Sequence, residues 1–320
     1  MRPRVPIAMG TPVASPLTLT PAPARPSVCC RTYVASVAKP GDATRTSEDA
    51  TWPAENQAIS DDVVRIALAD GGSLSLASDL WARLLVEAYG LGQIYRDSAR
   101  VEDETRDVDH VWRDSGDSPE SPEDRGDGEW AVRTDDEDTK TLAELGQLWR
   151  ARSLSALPTP MPSWMSEGWK AGSYATLIGL TLERPRGTGP GPWIATAIGD
   201  SCLFQVRDDR VIAAFPFTSV EEFPVQPSMI ATRARAEGHI VGHARTTRGF
   251  WYAGDEFWLM SDAVAAWFLR ADHERSLFNK IEQVRRLRAT DSAADFAARL
   301  AQNDGMQPDD VTVLQLIVER

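Results

Sequence analysis

The sequence predicts an α+β protein built from layers of antiparallel sheet and helix. Three observations lead there. Short apolar runs of strand length alternate with turns through most of the chain. One pair, CLFQVR and RVIAAF, is separated only by Asp208 and Asp209, the spacing of a two-residue hairpin. The order of elements, strands, two helices, more strands, then helices and a final strand, also lacks the βαβ rhythm of a doubly wound sheet.

The elements follow in chain order. Residues 1–28 carry Arg2 and Arg4, then Pro12, Pro16, Pro21 and Pro23, which break the apolar stretch a targeting peptide needs. They read as a disordered Pro/Ala-rich leader, and 29–320 as a single domain. VVRIALAD (63–70) is a strand. Ser78 is placed to cap a helix with the face Leu80, Trp81, Leu84, Leu85, Ala88 and Tyr89, ending at Gly90 or Gly92. A second helix opens at Thr141 and carries Leu142, Leu145, Leu148 and Trp149. YATLIGLTL (174–182), PWIATAIGD (192–200), the Asp-Asp hairpin, FWLMSD (257–262) and VTVLQLIV (311–318) read as strands. Helices fit 262–272, 276–288 and 291–305, the last capped by Asp291 and stopped by Gly305. The Trp residues at 81, 149, 258 and 267 fall on core faces, as does Cys202.

Charge and composition exclude several classes. The 320 residues carry a net charge of −13, with 34 Lys and Arg against 47 Asp and Glu, so the basic footprint of a nucleic-acid binder is missing. Three cysteines cannot build a disulfide framework, and no run approaches the ~20 apolar residues of a membrane span. A cytoplasmic monomer with neither nucleic acid nor membrane as partner is the expectation. The charge itself is concentrated. Residues 97–138 hold 17 acids against 5 arginines, nearly the whole imbalance, in a Ser-Pro and Gly-Asp setting that reads as a solvated loop inserted between the two helices.

The informative acids stand elsewhere, at the ends of apolar runs: Glu48 and Asp49 before a turn, Asp70 after VVRIALA, Asp262 after FWLMS, and Asp309 and Asp310 before the last strand. Carboxylates at a sheet rim, with a carbonyl such as that of Gly71 exposed by Gly71-Gly72, form the donor set of Mg²⁺ or Mn²⁺ rather than zinc. For any one Asp, a turn or cap role is the ordinary alternative.

Taken in order, SEDA, ALADGGS, GSYATLIGLTL, WIATAIGDSCLFQVR, FWLMSDAVAAW and DDVTVLQLIV resemble the serial motifs of the metal-dependent type 2C protein Ser/Thr phosphatases, in their bacterial form, from about Val34 to Val318. The resemblance implies a four-layer α/β/β/α sandwich of two stacked antiparallel sheets flanked by helix pairs. It implies hydrolysis of phosphoserine or phosphothreonine on a phosphoprotein, a Ser/Thr kinase or its target, by a hydroxide held between two Mn²⁺ or Mg²⁺ ions. In that scheme Asp70 bridges the ions, the Gly71 carbonyl and Glu48 hold one, and Asp262 and Asp309 hold the other. Asp49 supports the metal waters, and Arg45 grips the phosphate, although it stands three residues before Glu48 where the family has four. Asp310 is a weaker ligand candidate, and Asp200 of the GDS turn lies outside the site.

Other positions depart from the pattern and trim the catalytic outer shell. Gly72 fills the slot of the general-acid His, Trp169 or Lys170 that of a third-metal Asp, and Ala263 that of the Gly in the SDG motif. The alternative reading is therefore a pseudophosphatase that binds phosphoproteins or a signalling partner on the same fold. A third is an unrelated metal hydrolase acting on a small phosphate ester. GTGPGP (187–192) lacks the Lys-Ser/Thr of a P-loop and reads as a hairpin loop. His239 and His243 have helical metal-ligand spacing but neither a helical context nor a third ligand.

Overall fold

The long strands read as near-continuous apolar runs because both of their faces are covered. The computed structural model describes residues 27–39, 46–73, 75–95, 131–132, 136–187, 189–233, 244–270, 274–289, 292–303, 306 and 308–319. Among them the elements run β1 (Val28–Val37), β2 (Ala50–Trp52), β3 (Gln57–Asp61), β4 (Val63–Ala69), α1 (Ser78–Gly90), β5 (Ala131–Val132), α2 (Asp136–Ala156) and α3 (Ser163–Ala171). Then follow β6 (Tyr174–Ala175), β7 (Leu177–Glu183), β8 (Gly191–Ile198), β9 (Cys202–Arg207), β10 (Arg210–Phe215), β11 (Ile230–Ala231) and β12 (Ala244–Trp251). The chain continues through β13 (Glu256–Met260), α4 (Asp262–Leu269), α5 (Glu274–Arg286), α6 (Ala293–Asn303) and β14 (Val311–Val318).

Two six-stranded antiparallel sheets result, ordered β10-β9-β13-β14-β1-β3 and β2-β4-β7-β8-β12-β5, with a small β11-β6 pair beside them. Three apolar cores separate four layers. Between the sheets, Ile66, Leu68 and Leu180 of one meet Phe257, Leu259, Leu314 and Leu316 of the other. Alternate residues of the same strands face outward: Ala67 and Ala69 meet Trp81, Leu85 and Tyr89 of α1 and Trp149 of α2. On the other side Trp258, Met260 and Val313 meet Trp267 and Phe268 of α4, Ile281 of α5 and Phe296 of α6. The expected α/β/β/α sandwich is the fold. The period of two is intact, but each parity has its own apolar partner, so no polar face shows in the sequence.

The Asp-Asp hairpin forms as expected: Asp208 (φ 49°) and Asp209 (φ 62°) are both left-handed, as a type I′ turn requires. β7 and β8 pair directly as the hairpin reading of GTGPGP expects, but Gly191 and Pro192 already belong to β8, and Thr188 lies outside the described residues. Other boundaries differ from expectation. Ser78 does not cap α1; it is buried inside the first turn, and left-handed Ala77 precedes it. α6 is held at its start by Ser292, whose hydroxyl accepts the Asp295 N–H at 3.1 Å; Asp291 lies outside the described residues. The acidic stretch is not wholly loop. Its end forms β5 on the edge of β12 and the first turn of α2, where buried Asp138 accepts the Tyr95 N–H at 2.7 Å. The remainder of that stretch, the leader up to Pro26, and His239 and His243 lie outside the described residues. β1, β2, β3, β11, β12 and α3 are additions to the elements expected from the sequence.

Candidate active site

Strand register alone assembles the acids. Ala50 pairs with Ala69, so the next step along β2 and β4 sets Asp49 beside Asp70. On the other sheet Met260 pairs with Cys202, and two residues further Asp262 stands across from Asp200. β14 is the neighbour of β13 with Met260 opposite Val313, which brings Asp309 and Asp310, just before β14, to the same end. Both sheets thus deliver carboxylates to one rim.

Backbone and hydroxyl contacts fix them there. The Asp70 N–H donates to Thr176 Oγ1 at 3.2 Å, the Thr176 N–H donates to the Asp70 carbonyl at 2.9 Å, and Thr176 Oγ1 is 3.1 Å from Ser201 Oγ. That chain links the end of β4 to the start of β9 in the opposite sheet. Gly71 follows in a space where no side chain fits: a Cβ would lie 2.7 Å from the Glu48 carbonyl oxygen and 2.9 Å from Ser78 Cβ. Asp262 opens α4, its Oδ1 accepting the Ala263 N–H at 2.6 Å. Ala263 sits in that helix with no positive φ, so replacing glycine costs nothing there. Asp310 is a clamp. Its Oδ1 accepts the Lys39 N–H at 2.8 Å, and its Oδ2 accepts the Glu48 N–H at 2.6 Å and the Ser47 hydroxyl at 3.3 Å.

Electrostatics mark the rim as short of positive charge. Burial pushes Asp49 up to about 7; the nearby Thr312 hydroxyl offsets part of this, and Asp310, Asp262 and Asp309 add to it. Burial also lifts Asp70 well above the usual carboxylate range, reinforced by Asp49, Asp262, Asp200 and Asp309. Asp200 rises to about 7, by burial and then by Asp262. Asp262 is raised by burial and by Asp309, with Lys39 pulling the other way. Burial is the leading cause of each shift, and the neighbouring carboxylates add to it.

Of the residues expected in the site, Glu48, Asp49, Asp70, Gly71, Asp262 and Asp309 lie at this rim, while Arg45 is outside the described residues. Two residues enter that sequence reasoning left out, Asp200 and Lys39, whose ammonium reaches Asp309. Asp200 stands in the GDS motif, which the sequence shows but which reads there as a turn, whereas only cross-strand register reveals Lys39. Trp169, in the slot of a third-metal acid, instead donates from Nε1 to Ser153 Oγ at 3.0 Å and lies under the Arg150 guanidinium.

The donor chemistry fits Mn²⁺ or Mg²⁺. Both Asp49 carboxylate oxygens are buried without a well-formed hydrogen bond among the described residues, since the nearby Thr312 hydroxyl sits 2.8 Å from Ser36 Oγ, and a cation or its water would satisfy them. The rim is nonetheless open: among the described residues no three His, Cys, Asp or Glu side chains close on one point.

No protein-family model matches the chain, and no curated protein matches it by sequence. Solved structures do resemble it. The serine/threonine phosphatase PstP/Ppp of Mycobacterium tuberculosis is 17% identical, with 92% of this chain and 100% of that one covered at a TM-score of 0.47. The phosphatase domain of the Bacillus subtilis cell fate determinant SpoIIE is 13% identical, covering 91% and 92% at 0.40. The Mycobacterium smegmatis PPM Ser-Thr phosphatase MsPP, in complex with cacodylate, is 15% identical, covering 90% and 97% at 0.40. With TM-scores below 0.5 these likenesses decide nothing about chemistry, which has to be read from the rim residues.

Proposed function

We propose that the chain is a Mn²⁺- or Mg²⁺-dependent protein phosphatase that removes phosphate from phosphoserine or phosphothreonine of a protein substrate, a Ser/Thr kinase or its target, acting as a cytoplasmic monomer. One observation carries the reading: the acids of the ordered motifs meet at a single rim, and one of them, Asp49, keeps a buried carboxylate that makes no well-formed hydrogen bond among the described residues. Asp70, the Gly71 carbonyl and Glu48 would hold one ion, with Asp49 behind its waters, and Asp262 and Asp309 the other. Bound there, the ions would supply a nucleophile from water and neutralise charge on the phosphoryl oxygens. The protein's share is positional. Thr176 fixes the Asp70 backbone, Asp310 ties Glu48 to β14, and Arg45 is assigned to the phosphate. Ser73, next to Gly72, is the hydroxyl nearest in sequence to the vacant general-acid slot.

Purified protein with added Mn²⁺ should hydrolyse p-nitrophenyl phosphate and a phosphothreonine peptide, and Asp70→Asn should abolish both activities. Activity that is absent with either ion, or that survives Asp70→Asn, rejects the proposal. The departures at Gly72 and Trp169 favour a second reading, a pseudophosphatase that captures a phosphoprotein without turning it over. Such a scaffold would show no two-ion binding by calorimetry, and Asp262→Ala would leave partner capture intact.

A further inference from the structure

The acid rim contains a cation of its own. β1 ends with Val37 opposite Val311, so two residues further Lys39 faces Asp309 across the same strand pair. Its backbone N–H is fixed on Asp310. Its Nζ lies 3.5 Å from Asp309 Oδ1 and 3.2 Å from Ser73 Oγ, and its side chain is only 24% exposed. The ammonium therefore lies at the exposed edge of the rim, beside Asp309, itself 42% exposed, an acid that the proposed function assigns to the second ion.

The two halves of the rim are unequal in consequence. On the Asp49 and Asp70 side, the Asp49 carboxylate has only the Thr312 hydroxyl nearby and no hydrogen bond of good geometry among the described residues. On the Asp262 and Asp309 side, a protein cation already neutralises part of the charge. A divalent ion bound through Asp309 would face an ammonium at contact distance, and like charges at that range repel, modestly here because Asp309 is part-exposed. The ion can bind only as the Lys39 side chain swings away, so its apparent affinity is lowered by whatever the Lys39 and Asp309 pair contributes.

We propose that Lys39 is the resident counter-cation of the Asp262 and Asp309 half of the rim, held on Asp309 in the ion-free chain and displaced when the second divalent ion binds. This rests on the two-ion reading above. It makes loading sequential, with the Asp70 and Glu48 side filling first and the Asp309 side filling at the expense of the Lys39 contact.

Calorimetric titration of the ion-free full chain with MnCl₂ tests it. The wild-type chain should give two unequal steps. Lys39→Met, with Lys39→Gln as a second neutral variant, should tighten the weaker step roughly two- to fivefold, the scale of a partly exposed ion pair, and leave the tighter step unchanged. Lys39→Arg, which keeps the cation, should behave as wild type. A merely structural role would move affinity the other way, because a disordered rim binds ions less well. A weaker step that is unchanged or loosened in both neutral variants overturns the counter-cation role while leaving two-ion binding in place. Absence of Mn²⁺ binding in every variant overturns the two-ion reading, and the proposal with it.

Discussion

The Asp310 carboxylate holds the Glu48 amide at 2.6 Å, so the residue leading into β14, an interior strand of its sheet, also fixes the loop that brings Glu48 to the rim. The other oxygen of the same carboxylate holds the Lys39 amide at the end of β1. One buried side chain thus sets three segments relative to one another. It spends both oxygens on protein donors, which leaves it a poor ion ligand.

Asp310→Ala should therefore destabilise the fold and loosen the site together. Hydrogen bonds to a buried charge contribute ~1.5–3 kcal/mol, and two amides would lose their acceptor. A loss of about 3 kcal/mol in urea unfolding is expected, with weaker Mn²⁺ binding at a temperature where the variant is folded. Asp310→Asn, which retains one acceptor oxygen, should fall between. An alanine variant as stable as wild type would show that the clamp is dispensable.

Gly71 and Gly72 separate a steric requirement from a chemical one. A Cβ on Gly71 would press against the Glu48 carbonyl at 2.7 Å, whereas on Gly72 it would meet the Tyr174 carbonyl at 3.3 Å, a gap closed by a few tenths of an ångström. Gly71→Ala should cost ~1–3 kcal/mol and displace the Glu48 loop. Gly72→Ala should be mild in stability and in Mn²⁺ affinity. Thermal melts of the two variants side by side check the contrast, and equal losses would contradict it.

Asp255 provides a control outside the rim. Its carboxylate is almost fully buried and takes Arg207 through Nε at 2.6 Å and Nη2 at 2.7 Å, Gln205 Nε2 at 2.7 Å and the Tyr252 N–H at 3.0 Å. Asp255→Ala would strand these donors, and breaking a buried pair by removing one partner typically costs ~3–5 kcal/mol. Partial exposure of Arg207 places the expected loss at the lower end. Mn²⁺ affinity of the folded fraction should be untouched, in contrast to Asp310→Ala.

What the sequence reveals of this protein follows from what covers each strand. β4, β7, β13 and β14 are apolar on both faces because a second sheet lies on one side and helices on the other, and such runs are easy to find. β12 exposes Arg245, Arg248 and Phe250 and sits next to the short edge strand β5, so its pattern resembles a loop. β1 alternates buried Val28, Cys30 and Thr32 with exposed Cys29 and Arg31, directly after a proline-rich stretch that hides it. At the rim, an acid that ends an apolar run can be seen in one dimension. The facing of Asp200 with Asp262, and of Lys39 with Asp309, exists only once two strands have chosen a register, and a linear pattern does not encode that choice.

The crowded acids should make the ion-free chain least stable where its carboxylates are ionised. Asp49 and Asp200 are each pushed up to about 7, chiefly by burial, while an unfolded Asp titrates near ~3.9. Between those values the folded chain keeps protons that the unfolded chain has released. Stability from this source is full below about pH 4 and is lost as pH rises through about 7. With a chelator present, the melting temperature should fall from about pH 5 to about pH 7.5, and Asp200→Asn, which cannot ionise, should flatten the slope. Saturating Mn²⁺ should reverse the trend, because the ionised carboxylates are the form a cation binds. Scanning calorimetry across that range decides the matter: a melting temperature that climbs with pH in the chelated protein would mean that these acids already have their charge balanced within the fold.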